Sequence, residues 1–153
     1  MNKYVYLAGL VDGDGSIFID RHSRKNTGWC NVIISVTNTD YTLIKWLSEN
    51  FGGNIVSQRN RKREWYIWRV ANEPAFNIIR KIYPYLISKK KQAEIAIEFW
   101  SKKIDLRTVP KSQREEEIKR RLRLIDEMHH ENTRLKDRDS TCPHQKTQKS
   151  EQD

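Results

Sequence analysis

Cysteine is scarce in this chain, with two in 153 residues. Cys30 and Cys142 lie far apart, lack metal-ligand spacing, and leave no disulfide framework or zinc site to build; a reducing compartment fits. No apolar run approaches the length that spans a bilayer, which excludes a membrane helix. The first residues have neither a signal-peptide pattern nor an Arg-rich transit peptide. Synthesis and action in one compartment are therefore expected, either a prokaryotic cytoplasm or an organelle that encodes the protein. There is no internal repeat. Acidic residues are also short: 20 Asp+Glu stand against 29 Lys+Arg, for a net charge of +9. Most of that excess precedes residue 110, and beyond it bases and acids nearly balance. The positive charge thus belongs to the part that folds and points to a polyanionic partner, nucleic acid rather than membrane.

The length suffices for one domain with a real core. An apolar helix opens the chain. Ser16 to His22 and Trp29 to Asn38 then alternate as strands, with Ile17, Ile19, Val32, Ile34 and Val36 on the buried face. Thr39 or Asp40 can cap the next helix, which carries Leu43, Ile44 and Leu47 and stops at Gly52-Gly53. A second hairpin runs from Asn54 to Gln58 and from Glu64 to Val70, turning through Arg59-Asn60-Arg61-Lys62-Arg63. Helices follow from Asn72 to Pro84 (Phe76, Ile79, Ile82), from about Ser88 to Lys103 (Ala93, Ile97, Trp100), and from Ser112 to about Glu131 (Ile118, Leu122, Ile125, Met128). The expected organisation is a core over 1–104, a helical extension over 105–131 and a polar, disordered tail over 132–153. Clean alternation implies an antiparallel sheet with helices on one face and the other face open.

The opening helix ends unusually. Tyr6-Leu7-Ala8-Gly9-Leu10-Val11-Asp12-Gly13-Asp14-Gly15 puts Leu7, Leu10 and Val11 on one face. Gly9 costs about 1 kcal/mol against alanine inside a helix, and close backbone approach is the compensating reason. Ala8, Gly9 and Gly13 form a smooth stripe whose natural partner, with one copy per chain, is the same helix of a second subunit. Gly13 and Gly15 end the helix where carbonyls lack intrahelical partners, and Asp14 emerges beside them. A carboxylate next to carbonyl oxygens, doubled by symmetry, suits Mg²⁺ and phosphodiester displacement. Taken alone, Asp-Gly-Asp-Gly is more often plain turn chemistry than a metal site.

The whole stretch closely resembles the signature of the LAGLIDADG homing endonucleases, with Val11 for isoleucine and Gly13 for alanine. One motif in a short chain resembles the homodimeric branch, and the resemblance covers about residues 4–104. It implies an α+β, αββαββα fold whose four-stranded antiparallel saddle lies along the DNA major groove, followed here by C-terminal helices. Its function would be Mg²⁺-dependent cutting of both strands of a long pseudo-palindromic target, with short 3′ overhangs and intron homing. Mn²⁺ would substitute, and Ca²⁺ would support binding without cleavage.

The resemblance assigns Asp14, helped by the Gly13 carbonyl, as the metal ligand. Lys89, in Lys89-Lys90-Lys91-Gln92-Ala93, becomes the lysine beside the scissile phosphate, and Asn38 the amide that orients water. A solvated lysine run and a helix cap fit the same residues. Asp12 suits capping or interface hydrogen bonds, so the expected interface is Leu7, Ala8, Gly9, Leu10, Asp12 and Gly13. The family's basic residue after the second strand has no counterpart, since Asp40, Tyr41 and Thr42 stand there. On the open sheet face, alternation places Phe18, Asp20, His22, Asn31, Ile33, Ser35, Thr37, Ser57, Arg59, Tyr66 and Trp68 toward base edges. Arg24, Lys25, Arg61, Lys62 and Arg63 at the loop tips suit phosphates. A non-catalytic alternative is an intron RNA splicing cofactor or a DNA-binding regulator on the same fold.

Overall fold

The computed structural model describes residues 1–21 and 30–140, with backbone alone at Arg21 and at 137–140. Helix α1 (Lys3–Asp14) leads into strands β1 (Gly15–Arg21) and β2 (Cys30–Asn38), helix α2 (Tyr41–Phe51), strands β3 (Asn54–Arg59) and β4 (Glu64–Ala71), and helices α3 (Asn72–Ile82), α4 (Lys90–Ser101) and α5 (Lys111–Ser140). A single 3-10 turn, Tyr83–Tyr85, links α3 to α4, where Pro84 can take no part in an α-helical ladder. The strands form one antiparallel sheet in the order β1-β2-β4-β3. All five helices pack on one side of it, which is the α+β arrangement that the alternation implies.

Local chemistry explains most boundaries. The Asn2 side chain accepts from Tyr4 N at 3.0 Å to start α1, and Asp40, not Thr39, caps α2 by accepting from Thr42 N at 2.8 Å. Gly52 and Gly53 end α2 at φ 71° and 89°, and a Cβ on Gly53 would lie 2.4 Å from the Arg69 carbonyl oxygen. The core gathers Leu7, Val11, Ile17, Val32, Ile34, Val36, Ile44, Leu47, Ile79 and Ile82, each with no exposed surface. Burying a side chain of this size is worth about 1.5–3 kcal/mol.

Several faces differ from the sequence reading. In the second hairpin the register sets Val36 opposite Trp68 and Asn38 opposite Tyr66, so Trp68 and Tyr66 point to the helix side, not the open face. Trp68 is fully buried, and its indole N–H donates to Gly52 O at 2.7 Å. Ser57 and Arg59 pair with Tyr66 and Glu64 and share that side. A one-residue slip exchanges faces, and Glu64–Ala71 carries apolar residues at both parities, so alternation alone could not choose. The pairing with Val36 and the indole hydrogen bond to the Gly52 carbonyl decide it.

Helix α4 starts at Lys90 and buries Gln92, Ala93, Ile95, Ala96 and Phe99, while Ile97 and Trp100 are half-buried. Helix α5 runs past Glu131 to Ser140, and its buried line is Glu117, Arg121, Leu124 and Met128, with Ile118, Leu122 and Ile125 half-buried. Among the described residues no helix is long and apolar enough to cross a membrane.

Candidate active site and nucleic-acid face

The site grows from the C-terminal end of α1. Gly15 caps the helix with its N–H on Val11 O, and a Cβ there would lie 2.6 Å from Val11 Cα and 2.9 Å from Ser35 O. Only glycine lets the helix pass directly into β1, and this abrupt exit leaves Asp14 exposed at the sheet's end. Asn38, at the end of β2, donates from Nδ2 to Asp14 Oδ2 at 3.3 Å while its Oδ1 accepts from Asp40 N at 2.9 Å. One amide therefore both holds the turn before α2 and faces the candidate metal ligand.

Asp12 has a different task. Its Oδ2 accepts from Ile87 N at 2.7 Å, and its Oδ1 from Ser88 Oγ at 3.1 Å and Lys89 N at 3.0 Å. Lys89 Nζ returns to the Asp12 carbonyl at 2.8 Å, placing a cation on the last turn of α1 where the helix dipole favours one. Asp12 thus clamps residues 87–89 within its own chain and remains half-exposed. Leu7 and Ala8 leave the expected interface, because they are buried at 0% and 1% exposure in this chain's own core. Gly9 and Gly13 stay on the outer side with open space beyond them, and Leu10 is half-buried.

Beside Asp14 an open groove of about 610 Å³ is lined by Thr37, Asn38, Thr39, Asn60, Lys62, Arg63 and Trp65 as well as Asp14 itself. The turn that brings in the two cations is tightly made. Asn60 Oδ1 accepts from Lys62 N at 2.9 Å and Arg63 N at 2.8 Å, and Asn60 N donates to Arg63 O at 2.9 Å. Arg61, in the same turn, is exposed and does not line the groove.

The sheet face turned away from the helices carries Phe18, Asp20, Asn31, Ile33, Ser35 and Thr37, as alternation along β1 and β2 predicts. Ile33 and Ser35 are nonetheless buried at 8% and 6% exposure between neighbouring strands, with the Ser16 and Ser35 hydroxyls 2.9 Å apart. From the second hairpin the same face takes Trp65, Ile67, Arg69, Asn54, Val56 and Gln58, in place of Ser57, Arg59, Tyr66 and Trp68. Extending the parity of β2 across the pairing would have found them. His22, Arg24 and Lys25 lie outside the described residues.

Among the described residues no three His, Cys, Asp or Glu side chains gather to hold a metal. Asp14 alone still fits Mg²⁺, which keeps several waters and takes one or two carboxylates together with substrate phosphate oxygens. Its carboxylate is exposed, receives a neutral amide and has no ion pair among the described residues, and the Gly13 carbonyl is in the adjoining last turn.

Set against known proteins, residues 7–105 match the family model of the LAGLIDADG endonucleases. The chain belongs to the LAGLIDADG endonuclease family. The match begins inside the LAGLIDADG helix and ends just after α4, so α5 lies beyond it. Solved structures of LAGLIDADG homing endonucleases share the fold. I-CvuI in complex with its target is 20% identical with a TM-score of 0.67, over 84% of this chain and 81% of that one. I-GzeII in complex with its DNA target reaches 0.67 at 16% identity, over 98% of this chain and 53% of that one. I-SmaMI bound to cleaved DNA reaches 0.62 at 20% identity, over 82% and 43%. The chain therefore spans most of I-CvuI and about half of the other two. No curated protein matches.

Proposed function

We propose that this LAGLIDADG endonuclease is a homodimer that hydrolyses both strands of a long pseudo-palindromic DNA target with Mg²⁺, leaving short 3′ overhangs and promoting intron homing. The observation that carries the reading is Asp14: an exposed carboxylate at the end of the motif helix, bonded by Asn38, in a groove with two cations. Bound Mg²⁺ would supply charge stabilisation for the attacking and leaving oxygens. Asp14 and the Gly13 carbonyl would hold it, Asn38 would orient the water, and Lys89 would neutralise phosphate charge near the end of α1. The residues of β1 to β4 on the open face read base edges in each half-site. Divalent metals and DNA accompany the relatives: I-CvuI was crystallised with its target in the presence of Ca, and with another target in the presence of Mg with the DNA not cleaved. In this chain Mn²⁺ substitutes for Mg²⁺, and Ca²⁺ supports binding alone.

The test is cleavage of a plasmid library carrying randomised or candidate insertion sequences, with Mg²⁺ and with Ca²⁺ or chelator as controls. Discrete Mg²⁺-dependent double-strand cuts at one sequence are the expected result. A folded protein that cuts nothing and prefers intron transcript over duplex would instead be the splicing cofactor.

The dimer has its own test. A Cβ at Gly9 meets nothing within 4 Å among the described residues, and removing a helical glycine relieves about 1 kcal/mol. Gly9→Leu should therefore fold at least as stably as the parent. Light scattering should give the mass of two chains for the parent and of one for Gly9→Leu, and a variant that remains dimeric would move the interface elsewhere.

A further inference from the structure

The region after β2 where the family resemblance leads one to expect a basic residue holds Asp40, Tyr41 and Thr42. We infer that the turn between β3 and β4 supplies that charge, with Lys62 and Arg63 binding the phosphate that is cleaved at Asp14. The inference rests on the endonuclease reading above and names the cations of that site.

The topology brings the turn there. Gly15 pairs with Val36 and Asn38 with Tyr66, so the start of β1, the end of β2 and the start of β4 share one end of the sheet. The turn preceding β4 thus stands over the exit of α1, and Lys62 and Arg63 are the basic side chains among those lining the groove with Asp14 and Asn38. Neither forms an ion pair among the described residues, whereas the Lys89 ammonium is bonded to the Asp12 carbonyl. A phosphate entering the groove meets the Asp14 carboxylate as a like charge, and two cations lining the same groove offset that repulsion. Arginine adds a planar fork that matches phosphate oxygens in pairs. The three hydrogen bonds between Asn60 and the backbone of residues 62 and 63 hold the turn before DNA arrives, as phosphate stabilisation by fixed charges requires.

A target can be selected from randomised duplexes by binding in Ca²⁺, independently of cutting. At saturating protein, Lys62→Ala and Arg63→Ala should each slow single-turnover cleavage on the order of 10²-fold, with Arg63→Lys recovering part of the rate. Weaker binding with an unchanged saturated rate would overturn the assignment and leave the turn on flanking phosphates. A second readout needs no cleavage. In Asp14→Asn protein with Ca²⁺, neutral methylphosphonates placed singly along the target should weaken binding at the central phosphates, and that loss should vanish when Lys62 and Arg63 are both alanine. A vanishing loss that maps to flanking phosphates overturns the inference. A parent that binds the target but cuts no duplex overturns the endonuclease reading instead, and the methylphosphonate map still decides which phosphates the turn holds.

Discussion

Asp14→Asn is expected to abolish double-strand cleavage while leaving DNA affinity and folding intact. The substitution keeps the side chain's size and an oxygen that can accept from Asn38, but removes the charge that would hold Mg²⁺. Losing a preorganised charge at the reacting phosphate costs on the order of 10²–10³-fold for a single donor, and a metal ligand should cost at least that. Because Asp14 is exposed and, among the described residues, bonded only to a neutral amide, the variant's melting temperature should match the parent's. Asp12→Asn provides the contrast. The Asp12 carboxylate accepts two backbone N–H groups and a hydroxyl, and an amide turned to the same donors leaves one unsatisfied. That costs about 1–3 kcal/mol of stability. Single-turnover cleavage, mobility shift in Ca²⁺ and thermal melting together separate the two aspartates. Cleavage by Asp14→Asn at the parent's rate would show that the metal sits elsewhere.

The motif helix was legible because its constraints are local. Gly15 is required by the close pass of α1 over β2, and Gly9 stands out because nothing among the described residues crowds it. The element order and the first hairpin followed from alternation, since Ile17, Ile19, Val32, Ile34 and Val36 outweigh Phe18 and Ile33 at the other parity. The second hairpin did not. Trp65, Tyr66, Ile67 and Trp68 are apolar in succession, and its face is set by a long-range pairing with β2 and by a hydrogen bond to a helix-ending carbonyl. Sequence separation, not weak propensity, hid that information. The interface positions divided for a related reason. Helical spacing groups Ala8 with Gly9 and Gly13, but only the packed structure tells that the chain's own core consumes Ala8 together with Leu7. The groove cations show the same limit, because the turn at residues 60–63 is far from Asp14 in sequence and reaches it only through the order of the sheet.

Glu117→Gln is expected to destabilise the protein more than any exposed charge change, although sequence reading places residue 117 on a highly charged helix. The carboxylate is 6% exposed and takes Arg120 at 2.8 and 2.9 Å and Arg121 at 2.6 Å. The guanidinium of Arg120 also reaches the carbonyls of Glu98 and Phe99 near the end of α4, and that of Arg121 reaches Ile104 O at 2.6 Å. Glu117 therefore aims two arginines at carbonyls near the end of α4 and in the loop that follows it. Burial opposes the charged carboxylate, but the bonds and charges of Arg120 and Arg121 prevail and hold its pKa below the ordinary value of 4.5. A depressed folded pKa contributes stability that is fully present above the unfolded value and is lost as pH falls through the folded one. Removing one partner of a buried ionic group costs about 3–5 kcal/mol, roughly 6–20 °C in melting temperature for a chain of this size. At neutral pH, Glu117→Gln should show that full loss. As pH falls below 4.5 through the depressed folded value, the parent should lose this contribution while the glutamine variant has none to lose, so the gap between the two melting curves should narrow. A gap that stays constant down to the acid limit would mean that packing of α5, and not the charge of Glu117, secures it to α4.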